Sequence, residues 1–292
     1  MTHGAPRLLI IGAGGFLGGY LTTLGSARFE CVPAGRSASG VRLDITDAAG
    51  VRNVFGQTRP DAVVLAAGLS DIDDCERKPD VARETNVAGA WNVAHECART
   101  GARLVFTSSG AVFDGEAREY SEDSTPNPVS VYGKTKTEAE RMVSAELPGA
   151  VIARLSLVLG KGLVRGTNSF LDKVRDKLDA AQPVIAAQDE YRNAIDVATA
   201  AHWILDLAAT RTARGVFHLG SGDAMSRVEI VKRLAVALGY PAELVVAQSG
   251  ADPNRAPRGR RHMLVPGRIG EVSGIPVPTC LQSVERCVHA AA

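Results

Sequence analysis

Apolar residues in the first half of the chain come in short unbroken runs, each followed by a segment with helical spacing. "RLLIIG" (7–12), "FECVPAG" (29–35), "DAVVLAAG" (61–68), "ARLVFTSS" (102–109) and "AVIARLSLVLG" (150–160) are continuous rather than alternating. That is the pattern of strands buried on both faces of a parallel sheet. Between them, periodicity predicts helices over 15–25, within "DITDAAGVRNVFGQ" with Asp44 or Thr46 as cap, over 79–99, and over 132–147. After Gly160 the rhythm loosens into a helix over 166–178, a short strand and helix in "RNAIDVATAAHWILDLAA", a strand in "GVFHLGSGD", and a helix with Ser226 and Glu229 at capping-box spacing. Alternating β and α segments predict an α/β fold, a Rossmann-type doubly wound parallel sheet. We assign 1–160 with 191–220 to that sheet domain, and 161–190 with 221–292 to a smaller C-terminal α/β lobe.

Composition narrows this little. Apolar residues make 45% and charged residues 22% of the 292, as in ordinary globular proteins. The net charge of +1 supplies no bulk field toward nucleic acid or a membrane surface. No apolar run approaches the roughly 18 residues of a membrane span, and the N-terminus lacks the layout of a secretory signal. The five cysteines are scattered without a Cys-x-x-Cys pair, which predicts reduced thiols in a cytoplasmic protein. No spacing of His, Asp or Glu suggests a metal site.

The first chemistry-bearing motif is "GAGGFLG" after the first strand, with Gly12, Gly14, Gly15, Phe16, Leu17 and Gly18 between strand and helix. Glycines here permit a tight turn, close approach of backbone to a pyrophosphate and close packing of helix on sheet. The helix N-terminus then offers N–H donors to phosphates. The frame departs from Gly-x-Gly-x-x-Gly, because Leu17 takes the last glycine's place. The second strand ends "PAGRS" with no carboxylate for a ribose 2′-OH, and Arg36 is placed to pair with a 2′-phosphate. NADP(H) is therefore expected over NAD(H). Asp44, Ile45, Ala66, Ala67 and Gly68 are expected along the adenine and ribose.

The fourth strand runs into Ser108 and Ser109, and Tyr132 and Lys136 share one face of the helix that follows. A phenol and a serine hydroxyl at one carbonyl oxygen suit its reduction: one donates the proton, the other a hydrogen bond. Lys136 is expected to lower the phenol's pKa and to hold the nicotinamide ribose.

With "IGAGGFLG", "LDITD", "TNVAGAWNVAHECARTGARLVFTSS", "NPVSVYGKTKTEAE", "RLSLVLG" and "VFHLGSGDAMSRVEIVKRL" in view, the chain resembles the extended short-chain dehydrogenases/reductases, and among them the dTDP-4-dehydrorhamnose reductase group. The resemblance implies Ser109, Tyr132 and Lys136 as catalytic residues. It places Asn86 near the active site as a cofactor-binding candidate, with capping or bracing the helix over 79–99 as the alternative. It also implies a homodimer through the helices over 79–99 and 132–147. Two departures stand out: Gly110 follows Ser109 where rhamnose reductases carry an acidic residue, and Leu155-Ser156-Leu157 replaces their Thr-x-Trp.

On the substrate side, Arg255, Arg258, Arg260 and Arg261 form a basic cluster, read either as a solvated charge run or as a clamp for a nucleotide-sugar diphosphate. Asp114, Asn168 and Arg192 are further substrate candidates, Arg192 with an exposed turn as its bland alternative. His218, Trp91 and Trp203 read as packing residues. The leading function is NAD(P)H-dependent reduction of a keto group on a nucleotide-linked deoxysugar. A sugar-nucleotide epimerase holding NAD and a non-catalytic NADP-binding regulatory subunit remain open beside it, as does another carbonyl substrate.

Overall fold

Strands with apolar side chains on both faces need cover on both faces, and the main sheet has it. The computed structural model describes residues 4–37, 40–164, 166–252 and 255–289. Seven parallel strands, β1 (Arg7–Ile11), β2 (Glu30–Gly35), β3 (Val41–Arg42), β4 (Ala62–Leu65), β5 (Arg103–Ser109), β6 (Val151–Leu155) and β11 (Gly215–Leu219), lie in the order β11-β6-β5-β4-β1-β2-β3. Ile11 sits level with Leu65 and Ala34, and Ser109 with Leu155, so the carboxyl ends share one edge. Alternate residues of β1 feed opposite cores. Leu8 and Ile10 pack with α1 (Phe16–Gly25) and α8 (Val197–Ala209), including the fully buried Trp203. Leu9 and Ile11 pack with α2 (Ala48–Thr58), α5 (Gly89–Thr100) and α6 (Val131–Glu146).

Several boundaries differ from the sequence reading, each for a local reason. α2 starts after Asp47 rather than Asp44 or Thr46, because the Asp44 carboxylate folds back on Thr46, accepting from its N at 3.0 Å and its Oγ1 at 2.8 Å. The helix over 79–99 consists of α4 (Pro79–Arg83), a π-helical turn at Glu84–Ala88, and α5. A separate short helix, α3 (Ile72–Arg77), precedes it, capped by Asp71. The run 150–160 breaks at Ser156, whose N–H donates to Leu219 O, and resumes as β7 (Val158–Leu159). α7 (Phe170–Asp179) begins later than expected, with Ser169 as its cap. The Ser226–Glu229 capping box is present at the start of α9 (Arg227–Ala237).

The remaining strands are short. β8 (Val184–Ala187) pairs with β13 (Val245–Gln248), and β7 with β10 (Ile195–Asp196). β9 (Tyr191–Arg192) lies between β12 (Met225–Ser226) and β14 (Arg261–His262). α7, α9 and α10 (Cys280–His289) close two small apolar clusters around them. Asn193 joins these pieces: its Nδ2 donates to Ser221 O (2.9 Å) and Leu264 O (2.7 Å), and its Oδ1 accepts from Leu264 N (3.2 Å), all fully buried. Replacing Asn193 by Ala strands three buried backbone groups and is expected to cost about 2–4 kcal/mol in denaturant unfolding.

His218 is fully buried, as the apolar run around it predicts, and His262 is nearly so. Burial, with Arg154 near one and Arg192 near the other, pushes both imidazoles down to about 3. A histidine kept neutral in the fold binds fewer protons than its unfolded counterpart between pH 3 and 6.5. That contribution is therefore complete above 6.5 and is lost as the pH falls. The denaturant midpoint is expected to drop already between pH 6.5 and 4.5, before most carboxylates titrate, and His262→Gln to flatten part of that drop.

Candidate active site

The turn after β1 is built by close approach. Gly12 has φ +97°, and a Cβ on it would fall 2.6 Å from Ala67 N. A Cβ on Gly18 would fall 2.0 Å from Gly12 O, so α1 starts directly against the turn. Gly15 is the N-cap of α1 and provides no side-chain acceptor, while Gly14, Phe16 and Leu17 are partly open. The first-turn N–H groups of α1 therefore lie beside the strand edge with no side chain capping them, a cradle suited to a phosphate. Ala66, Ala67 and Gly68 continue from β4 beside it, with Gly68 exposed. Arg36 is exposed one residue past β2, and its charge helps lower the Asp44 carboxyl, after the two Thr46 hydrogen bonds. Ile45 is buried under Gly89, and its carbonyl accepts from Asn92 Nδ2 at 2.9 Å.

Ser109, Tyr132 and Lys136 come together at the next strand end. Ser130 caps α6 by accepting from Gly133 N at 3.1 Å. A Cβ on Gly133 would fall 2.1 Å from Ala111 O, so the helix start lies directly on the turn after Ser109. Burial pushes the Tyr132 phenol up to about 12, a hydrogen bond from Ser109 partly offsets this, and the nearby Cys75 adds to the rise. The expected lowering of Tyr132 by Lys136 is not found. Lys136 Nζ turns to Thr107 O at 2.6 Å and lies 4.2 Å from the Phe106 ring centre. Burial brings the Lys136 ammonium down to about 8 against the pull of Glu140. Asn86, inside the π turn, braces the site: Nδ2 donates to Leu69 O (3.0 Å) and Thr135 Oγ1 (3.1 Å), and Oδ1 accepts from Leu69 N (2.8 Å).

Ser109 and Tyr132 face a cleft of about 390 Å³ whose lining also includes Ser156, Asn168, Lys173, Arg192, Arg227, Arg255, Arg258 and His262. Arg192 is not in an exposed turn. It is buried in β9, donating to the carbonyls of Tyr191 (2.7 Å), Gly259 (3.0 Å) and Arg260 (3.1 Å). Behind the wall the buried Glu190 carboxylate meets Arg192 and Arg255, each at 3.3 Å, and Arg227 at 3.8 Å. One carboxylate against three guanidiniums leaves surplus positive charge toward the cleft. Arg258 is held by Asp73 at 2.8 Å. Asn168 donates to Ser70 Oγ at 3.2 Å and accepts from Lys173.

Three candidates fall elsewhere. The Asp114 carboxylate is taken by Tyr120, Asn127 (2.8 Å) and Glu116 N (3.1 Å) within its own loop, outside the cleft lining. Arg260 is exposed, and Arg261 lies over the Tyr191 ring. The sequence reading missed Lys173, Glu190, Arg227 and Asp73. Only the Ser226 cap hinted that the residue after it, Arg227, has a fixed position. Among the described residues no group of three His, Cys, Asp or Glu side chains is placed to hold a metal ion, and no helix is long and apolar enough to cross a membrane.

The RmlD substrate binding domain family matches residues 6–292. The chain is 31% identical over 261 residues to dTDP-4-dehydrorhamnose reductase of Mycobacterium tuberculosis, covering 87% of this chain and 79% of that one. It is 30% identical over 246 residues to methionine adenosyltransferase 2 subunit beta of Xenopus tropicalis, covering 81% and 73%. A dTDP-4-dehydrorhamnose reductase from Bacillus anthracis, solved in complex with NADP, superposes with a TM-score of 0.88 at 24% identity over 99% of this chain and all of that one. Parallel sheet, glycine turn and Ser-Tyr-Lys cluster agree with these likenesses: the chain belongs to the RmlD-type branch of the extended short-chain dehydrogenase/reductase family of NAD(P)-dependent oxidoreductases.

Proposed function

We propose that the chain reduces a keto group on a nucleotide-linked deoxysugar, with NADPH preferred over NADH and Tyr132 as the proton donor. The observation that carries this reading is the Ser109–Tyr132 pair opening into a cleft with four arginines and a lysine. The residues present fit a dinucleotide. The α1 N-terminus and the Gly12, Gly15 and Gly18 backbone would hold the pyrophosphate, Arg36 the 2′-phosphate, and Lys136 the nicotinamide ribose. Bound there, the cofactor supplies hydride to the carbonyl carbon. Ser109 donates a hydrogen bond to the oxygen that gains charge, and Tyr132 gives it a proton. A phenol pushed up to about 12 is fully protonated at neutral pH, the state reduction needs. The cationic wall of Arg192, Arg227, Arg255 and Arg258 suits a diphosphate, which ties the carbonyl to a nucleotide sugar. Residues 161–190 and 221–292 act as the substrate lobe in this reading, and the chain pairs as a homodimer along α5 and α6.

The likeness to a methionine adenosyltransferase subunit keeps a regulatory reading as the competitor. Cofactor oxidation across a panel of dTDP- and UDP-linked 4-keto-6-deoxysugars separates the two. Turnover with NADPH well above NADH is expected, and binding of NADPH without turnover on any ketosugar would favour the regulatory role. Tyr132→Phe is expected to lower kcat by about 10²–10⁴-fold with cofactor affinity kept. Arg36→Ala is expected to cost NADPH, but not NADH, about tenfold in affinity, the scale of one charge-assisted pair.

A further inference from the structure

Behind Lys136 lies a buried chain of charges that the chemistry above leaves unused. Glu140 follows Lys136 by one helical turn on α6 and is buried. Its Oε2 accepts from Arg154 NH2 at 2.7 Å and its Oε1 from Arg154 Nε at 3.0 Å. Ser108 Oγ donates to the same carboxylate. Arg154, on β6, is itself buried, with its guanidinium 5.1 Å from the Phe113 ring centre. Among the described residues the groups that act on Lys136 are few: Cys75 from α3, Thr107 O and the Phe106 ring from β5, Glu140 from its own helix, and Arg154 behind Glu140. Glu140 is the one carboxylate among them.

We propose that Glu140 is a positioning residue of this site: from one turn along α6 it keeps the Lys136 ammonium charged, and through Ser108 and Arg154 it locks α6 to the strand ends carrying Ser109 and Leu155. A buried ammonium held by a carbonyl oxygen and a ring face, with no carboxylate in direct contact, loses its proton more easily than one in an ion pair. A carboxylate one turn away opposes that loss, and Arg154 and Ser108 keep the carboxylate ionised. This agrees with Lys136 lying near 8, with Glu140 the first influence raising it. The inference rests on the cleft being a nicotinamide dinucleotide site.

The test is NADPH binding by cofactor fluorescence from pH 6 to 10 in wild type, Glu140→Gln and Lys136→Met. Wild-type affinity is expected to fall above about pH 8 as Lys136 loses its charge, and the Lys136→Met profile to lack that fall. In Glu140→Gln the fall is expected about one pH unit lower, giving roughly 3–10-fold weaker binding at pH 8 and near-equal binding at pH 6. Glu140→Asp, which keeps the charge, should move the limb back toward wild type. Glu140→Gln leaves Arg154 buried without a counter-charge and is liable to unfold, so Glu140→Met/Arg154→Met, which removes both charges, is measured beside it. A limb at the wild-type pH in a folded variant overturns the proposal, as does loss of fold in both variants, which would make the pair purely structural. Wild type that binds no NADPH at any pH overturns the cofactor reading instead.

Discussion

A strand buried on both faces has no side chain to spare for chemistry except at its ends. That constraint organises this molecule. Seven parallel strands run with their carboxyl ends on one edge, and the residues at or just past those ends are the small or polar positions of the site: Gly12, Arg36, Ala66, Ser109 and Ser156. Two helices then start on the same edge, α1 against the Gly12 turn and α6 against the turn after Ser109. Each start needs a glycine where a Cβ would strike a carbonyl oxygen: Gly18 against Gly12, and Gly133 against Ala111. Shifting either helix outward by the width of a methyl group would separate its N-terminal turn from the strand end it serves.

Such close packing puts charge in dry places, and the fold answers with pairs. Glu140 has Arg154 and Ser108; Glu190 has three arginines; Arg258 has Asp73. The Glu140 and Glu190 carboxylates are buried, and pairs of that kind add little net stability because desolvation offsets the attraction, while Arg258–Asp73 is part-exposed. Their effect is on placement and on charge state. Around Glu190 three guanidiniums share one carboxylate, and Asp73 on the other side acts on Arg258 and Arg255, so the four arginines of the cleft lining meet two carboxylates. Around Tyr132 the balance runs the other way: among the described residues no cation acts on the phenol, so burial dominates and the proton stays on.

What was legible in the sequence was what is local in the chain. The glycine turn, the Ser226–Glu229 box and the Tyr132–Lys136 spacing each lie within a few residues of one element, and each has one geometric meaning there. The direction of Lys136 was not legible, because the carbonyl it meets belongs to β5, 29 residues earlier. The cleft wall was partly hidden for the same reason. Lys173, Glu190, Arg227 and Arg258 come from separate segments, and Arg258 finds Asp73 across 185 positions. Each alone looks like a solvated charge. The π turn that places Asn86 was hidden differently: a single wide turn leaves the apolar periodicity of residues 79–100 nearly intact, and it shows only in the backbone, where Gly89 N–H donates to Glu84 O.

The two departures from rhamnose reductases become intelligible as a matched pair of walls. Beside Ser109, a Cβ on Gly110 would already lie 3.3 Å from Leu264 and 3.5 Å from His262. β14 thus occupies the side where an acidic residue after Ser109 would project. Opposite, Leu155 and Leu157 line the cleft where a tryptophan would stand, and between them the Ser156 hydroxyl is buried with no hydrogen-bond partner. An acidic group can orient sugar hydroxyls and a flat ring can stack on a sugar face; here the position after Ser109 carries no acid and Leu157 supplies no flat ring, while Asp71 is the acidic residue of the described lining. What remains near the reacting oxygen is aliphatic surface, a neutral imidazole and the serine hydroxyls, while the positive charge is set back along Arg192, Arg227, Arg255 and Arg258. A ligand that satisfied both regions would carry its anionic part away from Tyr132 and present a less hydroxylated end to it.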